Sequence, residues 1–221
     1  MYDNRTRRID PKTVQDILSP HLALYRKKLP TYQATMLDSM SSIWTGPHSR
    51  LLDIGGGTGV IAEAISRLFS VREVHSVDVV DRFCRGLSVT TSQFDGTTLP
   101  FEDKSFDAAT LNNVMHHVPL AVRTSLLRDV RRVVKGPLYI KDHERRSGAD
   151  DLRLQALDAI GNIPFSGMVW ARYLGRAEWE QLASSSGYRI ARRAAPARYR
   201  SGAYAMLFPN RLEITMRLDP L

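Results

Sequence analysis

The sequence contains a single cysteine, Cys84, among its 221 residues. One thiol cannot form a disulfide within the chain, and no group of Cys and His has the spacing of a structural zinc site. We therefore expect no disulfide, no metal centre and a reducing compartment. The sequence also lacks the ~18 consecutive apolar residues of a membrane span, and its first residues lack the apolar run of a signal peptide. These absences predict a cytoplasmic protein without membrane contact.

Internal repeats, low-complexity tracts and linker-like stretches are also missing. Hydrophobic residues make up 43% of the chain and charged residues 24%, which are ordinary values for a globular protein. A chain of this length buries enough surface to form one hydrophobic core without disulfides or metals. The composition thus predicts a single globular domain and excludes a disordered or fibrous chain.

Acidic residues are absent from positions 181–212, although the whole chain carries 23 of them against 31 Lys and Arg, a net charge of +8. An arginine-rich stretch of this kind fits a nucleic-acid surface, or a solvated hairpin edge that discourages strand pairing. We favour the hairpin edge. The net positive charge slightly favours an anionic small-molecule substrate. The arginines of this stretch are Arg189, Arg192, Arg193, Arg198, Arg200 and Arg211.

Strand and helix patterns alternate along the middle of the chain, which is typical of a parallel sheet with helices on both faces. Apolar spacing predicts strands at 50–54, 73–77, 88–93, 106–111 and 138–140, and helices at 58–69 and 119–134. Helices are also predicted at 11–25, broken near Pro20, and at 35–44, 149–159 and 177–184. Two late strands are predicted at 188–193 and 203–208, while 212–216 stays undecided. The sequence therefore predicts one doubly wound α/β domain.

Glycines cluster where the first of these strands meets the first of these helices, in the sequence Asp53-Ile-Gly55-Gly-Gly57-Thr-Gly59. Such a turn lets the backbone approach a ligand closely, and the following helix offers free N–H groups. A nicotinamide dinucleotide site would space its glycines as Gly-x-Gly-x-x-Gly, which this chain does not. The acid before the turn suits a ligand that carries a positive charge.

Two further acids follow the next predicted strands. Asp78 lies 19 residues beyond Gly59, close to the ~20-residue spacing at which an acid meets a ribose hydroxyl pair. Asp95 stands before Gly96 after the third strand, where an acid can accept from an adenine amine. A fourth strand ends at Asn112. These positions predict a nucleoside site at the carboxyl ends of the strands.

The residues 53–59, Asp78, Asp95 and the stretch 99–118 resemble the class I S-adenosylmethionine-dependent methyltransferases of the broad small-molecule type. The resemblance covers about 50–143. It implies a seven-stranded Rossmann-like sheet in the order 3-2-1-4-5-7-6 with the last strand antiparallel, and S-adenosylmethionine as cofactor. The contacts that it implies come from Asp53, Gly55, Gly57, Gly59, Asp78, Val79, Asp95, Gly96 and Asn112. One departure is Lys135-Gly-Pro137 where the family often has Lys-Pro-Gly-Gly.

The flanking segments fall outside that cofactor core, and we assign them to the acceptor. Within one methyltransferase domain, we divide the chain into an N-terminal helical lid (1–48), the cofactor core (49–143), a helical substrate-side insertion (144–176) and a C-terminal helix with antiparallel strands (177–221). The acceptor pocket is predicted from Tyr32, Asn162, Phe165, Trp170 and Tyr173, because aromatic side chains can hold a flat or cationic substrate. Packing onto the sheet is the alternative role of these aromatics.

Histidines follow the fourth and fifth predicted strands and could serve as the general base that a hydroxyl acceptor requires. We name His117 and His143 as the candidates. For His116 we favour a structural position, facing solvent or packing against the sheet. The neighbours Asp142 and His143 are not expected to pair, since adjacent side chains diverge.

The function predicted from the sequence is methylation of a small metabolite at oxygen, nitrogen or carbon. Two alternatives stay open. An RNA or protein methyltransferase would use the arginine-rich hairpin to grip its substrate, although no recognised RNA-binding module is visible. A non-catalytic cofactor-binding partner subunit is the other. The oligomeric state does not follow from the sequence.

Overall fold

A seven-stranded sheet forms the centre of the protein, in the order β3-β2-β1-β4-β5-β7-β6. The computed structural model describes residues 8–162 and 171–221, with the backbone alone at 160–162. Strands β1 to β5 pair in parallel, and β7 lies antiparallel to both β5 and β6. The strands are His48–Ile54 (β1), Val71–Asp78 (β2), Thr90–Gln93 (β3), Ala108–Asn112 (β4), Leu138–His143 (β5), Tyr188–Ala194 (β6) and Glu213–Pro220 (β7). This order confirms the predicted fold class.

Helices cover both faces of the sheet. They are Pro11–Leu18 (α1), Thr31–Ser41 (α2), Val60–Leu68 (α3), Leu120–Val133 (α4), Gly148–Asn162 (α5), Arg176–Ser185 (α6) and Gly202–Leu207 (α7). The helix α1 ends two residues before Pro20, as proline requires, and a 3-10 turn follows at Ala23–Arg26. Among the described residues, no helix is both long and apolar enough to cross a membrane.

Two apolar clusters form the core, one on each face. The helices α1, α2 and α3 pack on one face, where Leu37 and Met40 join Leu51 and Ile65. The helices α4 and α6 pack on the other, around Leu127 and other buried side chains. All six residues of β5 are buried, as expected of a central strand covered on both sides. Because α1 and α2 contribute buried side chains to the first of these clusters, both helices are part of the core.

The prediction of a strand at 203–208 is wrong. Gly202–Leu207 forms the short helix α7, and the sheet position next to β5 is filled by Glu213–Pro220. The sequence Ala-Tyr-Ala-Met-Leu-Phe satisfies the spacing of a strand and of a helix equally well. The first four residues of β7 are buried, and the strand pairs on both sides. The hairpin of the C-terminal region is therefore β6 with β7.

Three of the six arginines in the acid-free stretch form ion pairs with carboxylates outside that stretch. Arg193 lies 2.6 Å from Glu144 and Arg211 lies 3.2 Å from Asp150. Arg200 pairs with Glu213. Arg189 and Arg192 are exposed on β6, which ends the sheet. The exposed basic edge of the sheet therefore contains fewer arginines than the six in the acid-free stretch.

Candidate functional site

The glycine turn joins β1 to α3 at the carboxyl edge of the sheet. Gly55, Gly57 and Gly59 all have positive φ, at 74°, 59° and 80°, a conformation that side chains disfavour. A Cβ at Gly55 would lie 2.4 Å from Val114 Cγ2, whereas a Cβ at Gly57 would have no heavy atom within 4 Å. The turn therefore leaves open space above Gly57.

The carboxylate of Asp53 lies under that turn, 1% exposed. It accepts hydrogen bonds from Ser76 Oγ at 2.8 Å, Thr110 Oγ1 at 2.7 Å and Asn112 Nδ2 at 3.3 Å. Burial raises the pKa of Asp53 against the opposing effect of these hydrogen bonds. In the structure Asp53 thus ties β1 to β2 and β4, and its direct contact with a ligand stays a prediction.

Asp78 closes β2 beside the same turn. Its Oδ2 accepts from the Gly57 N–H at 2.7 Å and its Oδ1 from the Val80 N–H at 3.0 Å. Arg82 Nη2 lies 3.9 Å from Oδ1. A carboxylate offers about four acceptor positions. Two backbone bonds leave capacity for a ribose hydroxyl pair.

The loop after β3 contains Asp95 and Gly96. Asp95 Oδ1 accepts from the N–H groups of Thr97 and Thr98, both at 2.7 Å. Hydrogen bonds from the N–H groups of Thr98 and Thr97 lower the pKa of this exposed carboxyl. A Cβ built on Gly96 would lie 3.0 Å from Val79 Cγ1. The predicted residues Val79 and Gly96 are thus neighbours.

These residues fit a nucleoside ligand. Gly57 has open space above it, and the adjacent Asp78 retains acceptor capacity. Asn112 Oδ1, at the end of β4, is buried and has no hydrogen-bond partner among the described residues. Buried polar atoms normally have partners, so this oxygen has room for a donor from a ligand.

A second cluster lies where β4 and β5 end. His116 Nδ1 is 2.5 Å from Asp142 Oδ1, and the His116 ring stacks on Tyr173 with centroids 5.1 Å apart. The His116 side chain is 1% exposed. His116 therefore does not face solvent; of the two structural positions expected for it, the packed one is found, with the Asp142 carboxylate of β5 against its ring.

The contact between His116 and Asp142 shifts their pKa values in opposite directions. Burial alone would lower the pKa of His116, but the charge of Asp142 and its hydrogen bond raise it to about 9. Burial would raise the pKa of Asp142, but His116 lowers it to about 2. The contact therefore favours the proton on His116 and the charged form of Asp142.

The two histidines predicted as bases both lie near His116, with ring centroids 4.2 Å away for His117 and 5.7 Å away for His143. His143 is buried, and neither of its ring nitrogens has a hydrogen-bond partner among the described residues. Burial, followed by the charges of Lys141 and His116, lowers its pKa well below the ordinary value. His117 Nε2 lies 3.3 Å from Asp158 Oδ2 on α5.

A buried lysine that sequence analysis missed lies beside this cluster. Lys141 Nζ is fully buried and lies 2.6 Å from Tyr32 Oη, 2.9 Å from Asn113 Oδ1 and 3.2 Å from Glu213 Oε2. Burial alone would lower its pKa, but the charge of Glu213 raises it. A lysine inside a strand otherwise buried on both faces is the only sequence signal that could have revealed it.

Of the predicted acceptor residues, two are described in full. Tyr32 extends from α2 to Lys141 and Asn113, while Tyr173 donates to the Leu154 carbonyl at 3.0 Å and stacks on His116. The side chain of Asn162 and all of Phe165 and Trp170 lie outside the described residues.

Comparison with known proteins finds a methyltransferase domain and similar folds. Residues 52–137 match a family model described as a methyltransferase domain. A Bacillus halodurans protein described as a methyltransferase is 17% identical, covers 84% of this chain and 99% of its own, and superposes with a TM-score of 0.64. Magnesium protoporphyrin IX methyltransferase from Synechocystis, solved with bound S-adenosylhomocysteine, is 14% identical over 96% of this chain and 100% of its own, with a TM-score of 0.59.

A third similar structure is a complex between the Haloferax volcanii Trm112 methyltransferase activator and a protein described as a methyltransferase. It is 12% identical, covers 95% of this chain and 94% of that chain, and has a TM-score of 0.65. At such identities these likenesses concern the fold. The family-model match over residues 52–137, the sheet order and the glycine turn together support the class I S-adenosylmethionine-dependent methyltransferase family for this chain.

Proposed function

We propose that the protein transfers a methyl group from S-adenosylmethionine to a small-molecule acceptor. The cofactor supplies a methyl group on a sulfonium, ready for in-line displacement. The chain's own task is to align the acceptor, which contributes on the order of 7 kcal/mol in favourable cases. The turn from Gly55 to Gly59 and Asp78 would hold the cofactor, with Val79, Asp95, Gly96 and Asn112 around its nucleoside.

The observation that carries the small-molecule assignment is a cavity of about 470 Å³ against α2. This volume lies within the ~300–1,000 Å³ of typical small-ligand sites. Thr31, Thr35, Arg198 and Tyr199 are among its lining residues. The Tyr199 ring contacts Tyr32, with centroids 5.9 Å apart, and thereby connects the cavity to the residues that follow β4.

The charge of this cavity suits an acidic or phosphate-bearing acceptor. Arg8 and Arg198 line it, opposed by one acid, Asp10. Asp10 also caps α1, accepting from two backbone N–H groups, so part of its charge is satisfied by the helix. A positive cavity raises the local concentration of an anionic substrate.

Where the acceptor is a hydroxyl, we propose His143 as the group that takes its proton. The residue lies at the end of β5, at the same edge of the sheet as the glycine turn, and its ring nitrogens have no hydrogen-bond partner among the described residues. A His143→Asn variant should lower kcat while cofactor affinity stays within about threefold. An unchanged kcat would remove His143 from this role.

The exposed edge of β6 supports the alternative of an RNA substrate, because Arg189 and Arg192 are exposed on it and form no ion pair with an acid among the described residues. A protein substrate, or a non-catalytic subunit that binds the cofactor beside a partner, are further alternatives. The Haloferax complex shows one protein of this fold assembled with an activator. A cavity of about 610 Å³ also lies against β6 and is lined by Arg189 and Arg192, but β6 ends the sheet, four strand positions from β1 and its glycine turn.

The acceptor class can be tested with methyl-labelled S-adenosylmethionine and three fractions of host extract: small metabolites, RNA and protein. We expect label in the metabolite fraction and a raised KM for that acceptor in Arg198→Gln. Arg189→Gln on β6 serves as the control and should leave KM unchanged. Label in the RNA fraction, reduced by Arg189→Gln, would instead support the basic edge as the substrate surface.

A further inference from the structure

Three potential metal ligands converge at the carboxyl ends of β4 and β5. His116 Nε2 lies 3.6 Å from Asp158 Oδ1, and His117 Nε2 lies 3.3 Å from Asp158 Oδ2. One ligand atom from each residue falls within 4.8 Å of the others. We propose that His116, His117 and Asp158 form a binding site for a divalent transition-metal ion. The expectation of no metal centre rests on the missing zinc spacing of Cys and His, whereas Asp158 comes from the distant helix α5.

The distances fit ligation better than direct hydrogen bonding. At 3.6 Å, His116 Nε2 and the carboxylate are too far apart for a hydrogen bond. Two ligands of one tetrahedral ion, each bound at about 2.0–2.1 Å, lie about 3.4 Å apart. The two observed separations, which end at different oxygens of Asp158, are close to that value, and one ligand atom from each residue lies within 4.8 Å of the others. Small side-chain movements would therefore bring all three residues onto one ion.

The second ring nitrogen of His116 is already held as it is in metal sites. Its Nδ1 lies 2.5 Å from Asp142 Oδ1, and its ring stacks on Tyr173. Metal-binding histidines almost always donate their other N–H to a carboxylate or carbonyl, which fixes the tautomer and the ring orientation. With Nδ1–H donated to Asp142, an ion that binds at Nε2 takes the place of the other ring proton of His116.

Unpaired buried atoms provide independent support. His116 Nε2 and Asp158 Oδ2 are both buried and have no hydrogen-bond partner among the described residues. The side chains of His116, His117 and Asp158 are 1%, 9% and 11% exposed. Leaving such atoms unpaired is costly, and coordination of one cation would satisfy both.

The ligand set determines the class of ion. Two imidazoles and one carboxylate suit Zn²⁺, Co²⁺, Mn²⁺ or Fe²⁺, whereas Mg²⁺ and Ca²⁺ prefer oxygen ligands throughout. Three protein ligands leave at least one coordination position for water or for an oxygen of a substrate. The site lies at the same edge of the sheet as the glycine turn, although metal binding does not depend on methyl transfer.

Metal titration of the untagged protein tests this proposal. After treatment with a chelator, Co²⁺ and Zn²⁺ are titrated into the full chain, with visible absorption and calorimetry as readouts. The ligand variants are His117→Gln and Asp158→Asn. The matched controls are His21→Gln, outside the cluster, and Asp151→Asn on the same helix as Asp158. Circular dichroism verifies that each variant folds.

We expect about one ion per chain, a Co²⁺ absorption band and at least tenfold weaker binding in both ligand variants, with the controls unchanged. Asp142→Asn, which alters only the group behind His116, should weaken binding by about 10- to 100-fold. Failure of the wild type to bind either ion would overturn the proposal. So would stoichiometric binding that folded His117→Gln and Asp158→Asn retain at full strength.

Discussion

The backbone N–H of Gly57 donates to Asp78 Oδ2 at 2.7 Å, joining the glycine turn after β1 to the end of β2. The bond orients the carboxylate at the same place where Gly57 leaves open space. A ligand that lies over the turn therefore meets a carboxylate already held in position. Preorganisation of this kind reduces the ordering that binding requires.

Replacement of Asp78 by alanine should weaken binding of S-adenosylmethionine by roughly 1.5–3 kcal/mol, the contribution of a charged hydrogen-bond partner. Isothermal calorimetry measures the change. Asp81→Ala, an exposed acid three residues further along, is the control and should bind normally. Equal affinity of Asp78→Ala and the wild type would remove Asp78 from the cofactor site.

Replacement of Tyr32 by phenylalanine should lower the free energy of unfolding by about 1–3 kcal/mol, because buried Lys141 loses a hydrogen-bond partner at 2.6 Å. Denaturation in urea measures this loss. Tyr204→Phe removes a phenol from a residue that is 46% exposed and should have little effect. If both variants unfold at the same urea concentration, Tyr32 does not stabilise Lys141 as inferred.

Asp107 should contribute stability that depends on pH. Its carboxylate accepts from the N–H groups of Ser49 at 2.7 Å and Arg50 at 2.9 Å and lies 2.8 Å from Lys135 Nζ. Burial opposes these contacts, but Lys135 and the two N–H groups prevail and lower the pKa of Asp107. A lowered pKa gives stability that is complete above the unfolded value of about 3.9 and is lost as the pH falls through the folded value.

We therefore expect the wild type to exceed Asp107→Asn in unfolding free energy by the largest margin near neutral pH. The margin should shrink as the pH falls below about 4. Urea denaturation between pH 7 and pH 2.5 measures it, with Glu102→Gln, an exposed neighbour, as the control. A margin that does not change with pH would contradict this role of Asp107.

The cofactor core was predictable from the sequence because its signals are local. The turn around Gly57, the spacing to Asp78 and the strand–helix alternation all lie within short segments of chain, and the sheet order confirms the alternation. The strand prediction at 203–208 was wrong because a six-residue apolar pattern does not distinguish a strand from a helix. In the structure, Glu213–Pro220 pairs with β5 and so occupies the sheet position that a strand at 203–208 would have taken.

The buried ionic groups were not predictable because their partners are distant in sequence. His116 and Asp142 are 26 positions apart and meet only because β4 and β5 are neighbours. Lys141 meets Glu213 only because β7 inserts between β5 and β6. A histidine or lysine read alone gives no indication of which carboxylate will face it.

The most direct test of the account is calorimetric titration of S-adenosylhomocysteine into Gly57→Val. Gly202→Val is the control, because Gly202 has a nearly identical φ of 57° and the same open space around its Cβ position, but lies at the start of α7. Both variants then carry a valine at a similar positive φ, and only Gly57→Val places a side chain over the turn. We expect one binding site in the wild type and in Gly202→Val, and none in folded Gly57→Val. Normal binding by Gly57→Val would show that the cofactor does not lie on this turn.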